Sequence, residues 1–122
     1  MSDKYIKKVE SNGSINISED VFVSIVVNAI SNVDGVAGLA NTAGAELAEL
    51  VGLKTIPKGV KVSFEDGKVI VDSIITVLYG RSILKVAKDV QDAVANSIEA
   101  GTGISDPVVN VHVSGVTFDR NI

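Results

Sequence analysis

Residues 79–113, YGRSILKVAKDVQDAVANSIEAGTGISDPVVNVHV, decide the fold. They predict a strand that ends at Gly80, an amphipathic helix that Ser82 caps and that Gly101 or Gly103 ends, and a second strand containing V-N-V-H-V at 109–113. Apolar residues recur along one side of the helix at helical spacing, and charged residues fill the other side. The apolar stripe consists of Ile83, Val86, Ala87, Val90, Val94, Ser97 and Ile98.

A β-hairpin is predicted before this unit. Apolar residues alternate with polar ones from Val60 to Phe64, as expected of a half-buried strand. Asp66-Gly67 has the chemistry of a two-residue type I′ turn, and residues 68–79 form the return strand. We expect the last strand, residues 108–118, to pair parallel to one hairpin strand through a right-handed crossover.

The N-terminal third is predicted to contain a short edge strand at residues 13–18 and a helix that Ser18 caps and that runs to about Val33. The β-branched residues of this segment leave a strand open as the alternative. Residues 35–40 suggest a short strand or a turn, and residues 41–52 a short helix.

The predicted order β-α-(α)-β-β-α-β indicates an α+β fold, a small mixed sheet with helices packed on one face. Residues 1–12 are polar and are expected to be a flexible N-terminal segment. Residues 13–122 are expected to form a single domain, since 122 residues suffice for one core.

Composition excludes several classes of function. The chain has no Cys, which excludes disulfides and thiolate chemistry. Its net charge of −4 argues against binding to nucleic acid or to anionic lipid. Neither a signal peptide nor an apolar run of about 20 residues is visible, so we expect a cytoplasmic protein without direct membrane insertion.

His112 is the only histidine and the first candidate for chemistry. It shares a predicted strand face with Asn110 and Ser114, which makes a surface or interface histidine the favoured interpretation. Neither a nucleophile elbow nor a set of metal ligands accompanies it. We therefore predict no enzyme, no catalytic or metal-binding residues and no cofactor.

Two glycine-containing segments are candidate binding loops. Gly35-Val36-Ala37-Gly38 matches the bare GxxG of KH nucleic-acid-binding modules, which is the alternative function, but it lacks basic flanking residues. Gly80-Arg81-Ser82 could hold an anion at a helix N-terminus, but no glycine-rich phosphate fingerprint surrounds it.

The first helix carries more apolar residues than one core face requires. Phe22, Ile25, Val26, Ala29 and Val33 suffice for that face, by spacing. Further apolar residues extend toward a second face and form a candidate interface for protein partners. The candidate interface residues are Val23, Val27 and Ile30.

Several short segments together resemble the alkaline shock protein family, the envelope stress response proteins of Gram-positive bacteria. The resemblance extends from about Gly13 to Phe118. It is carried by GSINIS at 13–18, VDGVAGL at 33–39, GVKV at 59–62, YG at 79–80, the helix 86–94 with Gln91, TGI at 102–104 and VNVHVSGV at 109–116.

This resemblance implies a small, non-enzymatic cytoplasmic scaffold of the cell-envelope stress response. Family members self-associate, so a homo-oligomer is expected, and a separate anchor protein can hold them at the membrane. Peripheral membrane localisation would then depend on that partner. The family supplies no catalytic residues to carry over.

Overall fold

The computed structural model describes residues 5–39 and 59–118 of the chain. Within these ranges it is a mixed α+β fold, as predicted. The elements are β1 (Tyr5–Glu10), β2 (Gly13–Ser18), α1 (Glu19–Ser31), β3 (Val36–Leu39), β4 (Val60–Glu65), β5 (Lys68–Leu78), α2 (Ile83–Thr102) and β6 (Val108–Thr117). The helix predicted at residues 41–52 lies outside the described residues.

β5 is the central strand of a four-stranded sheet. β6 pairs parallel with it over residues 70–78, which confirms the predicted parallel pairing after α2. Because β6 occupies one edge of β5 almost completely, β4 and β3 share the opposite edge. β4 pairs antiparallel with residues 68–73, and β3 with residues 75–77.

The β4–β5 hairpin has the predicted turn. Asp66 and Gly67 both adopt positive φ angles, 53° and 78°, as a type I′ turn requires. This turn suits the right-handed twist of the flanking strands and sets Phe64 opposite Val69. Val60, Val62 and Val69 consequently share the buried face of the hairpin.

Both helices pack on one face of this sheet, as predicted. The alternating positions of β5 that include Val71, Ile75 and Val77 face the helices and are completely buried. The core cluster joins them to Phe22, Val26, Ala29 and Ile30 of α1 and to Val86, Val90, Val94 and Ile98 of α2. Ser73 is the one buried polar residue among those described, and its hydroxyl donates to the Asn110 carbonyl of β6 at 3.2 Å.

The N-terminal segment differs from the prediction. Residues 5–10 form β1, which pairs antiparallel with β2 in a separate two-stranded sheet, instead of a flexible tail. Ile6 is 8% exposed and belongs to the core cluster, so this strand is held by apolar burial. The Lys8 ammonium also lies beside Gly103, where α2 ends and where a positive charge is favourable.

The two helices begin differently. The Ser82 hydroxyl accepts from the Lys85 N–H at 3.3 Å, which confirms it as the N-cap of α2, and Gly103 ends α2 with a φ of 78°. Ser18 occupies the N-cap position of α1, but its side chain makes no capping hydrogen bond, contrary to the prediction. Glu19 and Asp20 still place negative charge in the first turn of α1.

Candidate functional site

His112 lies on the sheet face opposite the helices, beside two polar residues. Its Nε2 is 4.0 Å from Asp72 Oδ1, and Asn110 donates to the same oxygen at 3.0 Å. The side chains of His112 and Asp72 are 33% and 18% exposed. Ser114, which was expected on the same face, lies at a register irregularity after Val113 and donates to the Ile75 carbonyl.

This polar group contains one carboxylate, one imidazole and one amide. The amide is not a nucleophile, and it donates to the Asp72 carboxylate, so the geometry suits a hydrogen-bonded surface cluster better than a reaction centre. Within residues 5–39 and 59–118, no group of three or more acidic or histidine side chains could hold a metal ion.

Of the three candidate interface residues on α1, only Val23 and Val27 are accessible to solvent. Ile30 is fully buried and belongs to the core, because it follows Val26 by one helical turn and faces the sheet. It therefore cannot present a surface to a partner. Val23 and Val27 pack against the same core but stay half-buried, and their role as interface residues stays a prediction.

The GxxG segment is not a free loop. Val36–Leu39 form β3, and the Gly35 carbonyl accepts from the Leu78 N–H of β5 at 2.8 Å. A nucleic-acid clamp of the KH type needs exposed backbone groups at this position. Here backbone groups of Gly35 and β3 are bonded to β5, and the nearby Asp34 adds a negative charge. The KH alternative is therefore not supported.

Two basic residues at the N-terminus of α2 form ion pairs with carboxylates of the chain. Arg81, which precedes the helix, forms an ion pair with Asp34 in the turn between α1 and β3. In the first turn of α2, Lys85 pairs with Asp89 at 2.8 Å, and the hydrogen bond and charge of that carboxylate raise the pKa of Lys85. Arg81 is thus already engaged by a carboxylate, which disfavours an anion site here.

Exposed aromatic residues mark one end of the sheet, a feature that the sequence reasoning missed. Tyr79, after β5, and Phe118, after β6, stack with their ring centroids 4.6 Å apart, yet they are 67% and 61% exposed. Leu84, in the first turn of α2, is 83% exposed. The available signal was the position of Leu84 outside the apolar stripe of α2 and the scarcity of aromatics, 4% of the chain.

β6 is a second candidate surface. Among the described strands it pairs with β5 alone, and none of them lies beside its other edge. Val108 and Val116, near its two ends, are 40% and 41% exposed. Backbone donors and acceptors on an unpaired edge are a standard means of recruiting another strand.

No helix in the described part of the chain combines the length and apolar character that crossing a membrane requires. A family model described as the alkaline shock protein 23 family, with cell envelope-related function, matches residues 7–118.

Three relatives from Gram-positive bacteria match most of the chain. The uncharacterized protein YqhY of Bacillus subtilis (strain 168) is 34% identical over 107 residues, which are 88% of this chain and 79% of YqhY. YloU of the same strain is 31% identical and covers 85% of this chain and 88% of YloU. Spy1614 of Streptococcus pyogenes serotype M6 is 28% identical and covers 91% and 93%.

A solved structure shares the fold. The copper form of MamM CTD superimposes with a TM-score of 0.50 and 17% sequence identity, covering 84% of this chain and 87% of that one. At this identity the likeness concerns the arrangement of strands and helices only.

Proposed function

The chain belongs to the alkaline shock protein 23 family, whose function is related to the cell envelope, and from this premise we propose that it is a non-enzymatic scaffold of the envelope stress response. In this role it would act by binding other proteins, including further copies of itself. The protein would work in the cytoplasm and reach the membrane through an anchored partner protein.

The observation that carries the proposal is the exposed apolar surface at the Tyr79–Phe118 end of the sheet. Single exposed apolar residues are ordinary in soluble proteins. Here, however, a stacked aromatic pair lies at the end of the sheet from which α2 starts with Ile83 and Leu84, which are 45% and 83% exposed. Apolar side chains concentrated at one end of a fold are typical of a protein-binding surface.

The experiment is a pull-down of the tagged full-length chain from detergent-solubilised membranes of a bacterium that expresses it, with mass spectrometry of the captured proteins. Light scattering coupled to size exclusion measures self-association of the purified chain in parallel. We expect enrichment of a membrane-spanning protein, an assembly larger than one chain, or both.

A variant and a matched control test whether the Tyr79–Phe118 end makes these contacts. Tyr79→Ser combined with Phe118→Ser should remove the captured protein or shift the assembly toward the monomer, while both variants stay folded by circular dichroism. Val9→Ser changes a residue that is 76% exposed on the N-terminal hairpin and should leave both results unchanged. A strictly monomeric wild-type chain that captures no specific membrane protein would contradict the proposal.

The two remaining candidate residues on α1, Val23 and Val27, need a separate test. Val23→Glu combined with Val27→Lys places charge on the half-buried side of α1. If this variant folds and loses the assembly or the captured partner, α1 is the interface. If it unfolds, both residues serve the core.

A further inference from the structure

We propose that two copies of the chain pair through the outer edge of β6, so that two four-stranded sheets join into one continuous sheet about a twofold axis. The inference rests on the proposed function, because it adds a second contact for self-association beside the Tyr79–Phe118 end. Its partner is a second copy of this chain, placed antiparallel along β6.

Hydrogen bonds show which backbone groups of β6 face outward. The Asn110 carbonyl points toward β5, since the Ser73 hydroxyl donates to it. Backbone groups alternate in direction along a strand, so the N–H and C=O groups of Val109, Val111 and Val113 point away from β5. The Gln91 amide of α2 donates to the Val109 carbonyl at 3.0 Å, so this outward carbonyl already has one partner, and a second strand would use its remaining lone pair.

The side chains of β6 that face the core are incompletely covered. Val109, Val111 and Val113 contact the core cluster but stay half-buried, whereas their neighbours Val71 and Ile75 on β5 are completely buried. The layer of apolar side chains therefore continues to the edge of the sheet, and no residue of 5–39 or 59–118 covers it completely there. A second strand beside β6 would remove these side chains from water.

Within the described residues the edge has two partial protections against pairing, the irregularity at Ser114 and the Gln91 contact to Val109, but no protective charge or proline. Natural edge strands carry lysine, proline or inward-pointing charges that prevent another strand from adding. The ten residues of β6, VVNVHVSGVT, contain none of these, although the whole chain is acidic. The register irregularity around Ser114 confines regular pairing to residues 108–113.

The sequence of β6 is self-complementary around Val111. In an antiparallel pair centred on this residue, Val111 lies opposite Val111 of the second copy, and Val109 lies opposite Val113. On the other face of the sheet, Asn110 lies opposite His112. Valines thus meet valines on the core side, and two hydrogen-bonding side chains meet on the outer side, which favours a second copy over an unrelated strand.

The absence of native cysteine permits a direct test by cross-linking. In this register the two Val111 residues form a hydrogen-bonded pair with Cα atoms about 5.5 Å apart, too far apart at Cβ for an unstrained disulfide but within reach of a short bifunctional reagent. Val111→Cys should therefore give a covalent dimer with a short bis-maleimide, detected on a denaturing gel. Ser24→Cys, on the exposed side of α1, is the matched control and should stay monomeric.

A second measurement does not depend on a variant. Hydrogen exchange of the Val109, Val111 and Val113 amides should slow at least tenfold as the wild-type concentration rises through its dimerisation range, while the exposed turn amide of Gly67 stays fast. Val111→Pro, which removes one outward N–H and leaves the Asn110 bond to β5, should shift the chain toward the monomer in size exclusion.

The outcomes separate the inference from the proposed function. A wild-type assembly without a Val111→Cys dimer and without slowed exchange overturns β6 pairing but leaves self-association through another surface. A wild-type chain that is monomeric at every concentration overturns β6 pairing and self-association, while capture of a membrane protein would still support the scaffold function. Cross-linking together with concentration-dependent exchange supports the inference.

Discussion

Gly35 shows how one residue determines the approach of two turns. It lies in the turn between α1 and β3 with a φ of 97°. A Cβ at this position would lie only 2.6 Å from Val86 Cγ2 in the first turns of α2. The glycine is therefore required both for its backbone conformation and for the space beside α2.

We predict that Gly35→Ala lowers the free energy of unfolding by about 2 kcal/mol or more, since backbone strain and overpacking each cost on the order of 1–3 kcal/mol. Chemical denaturation measures the change. Gly38→Ala is the control: a Cβ there meets nothing within 4 Å, so its effect should stay within about 0.5 kcal/mol. Equal losses for the two variants would contradict the steric explanation.

His112 is expected to contribute little to stability. Its side chain is 33% exposed, and its distance of 4.0 Å from Asp72 is too long for a strong hydrogen bond. We predict that His112→Ala changes the free energy of unfolding by less than about 1 kcal/mol. A loss of several kcal/mol in denaturant titration would mean that the Asp72 and Asn110 group depends on the imidazole.

At the scale of elements, the N-termini of α1 and α2 provide a natural comparison. Both helices have serine at the N-cap, but only the Ser82 side chain accepts a backbone N–H. α1 relies instead on two acidic residues in its first turn and on the burial of Phe22 and Val26. The same residue type therefore contributes differently in the two places.

We predict that Ser82→Ala destabilises the fold by about 0.5–2 kcal/mol, the usual cost of losing an N-cap. Ser18→Ala should cost less than about 0.5 kcal/mol, because no capping bond is lost. Thermal unfolding of the two variants under identical conditions measures the difference. If Ser18→Ala costs as much as Ser82→Ala, the Ser18 hydroxyl caps α1 in solution.

The sequence predicted elements whose pattern is local. α2 has a capping serine, a single apolar stripe and an αL glycine, and the β4–β5 hairpin has Asp66-Gly67 at its turn, so both were predicted nearly to the residue. α1 is apolar around much of its circumference, so the spacing of its apolar residues did not show that Ile30 faces the sheet. β1 contains a single buried residue, Ile6, and its strand conformation depends on pairing with β2.

At the scale of the whole molecule, charge and exposed surface determine what the protein can bind. The net charge of −4 is accompanied by only eleven Lys and Arg residues, and Arg81 is paired with Asp34. The sequence indicated this acidic character correctly. It did not reveal the Tyr79–Phe118 end, because those residues are far apart in the chain and meet only when β6 pairs with β5.

We predict that the chain binds no nucleic acid, because the segment that matched GxxG is paired in the sheet and lies beside Asp34. A gel-shift titration with duplex and single-stranded probes at about 150 mM salt should show no complex at low micromolar protein. Salt-sensitive retention of either probe at these concentrations would reverse this prediction and restore the KH-type interpretation.

The position of β5 in the sheet also has a consequence for biosynthesis. β3 and β4 precede β5 in the chain, whereas the β6 residue that Ser73 contacts follows 37 residues later. At about 5–20 residues per second, a ribosome needs roughly two to seven seconds to synthesise that interval. During this time the nascent chain has one edge of β5 completed and the other exposed, and this apolar edge is where chaperones or neighbouring nascent chains would first bind.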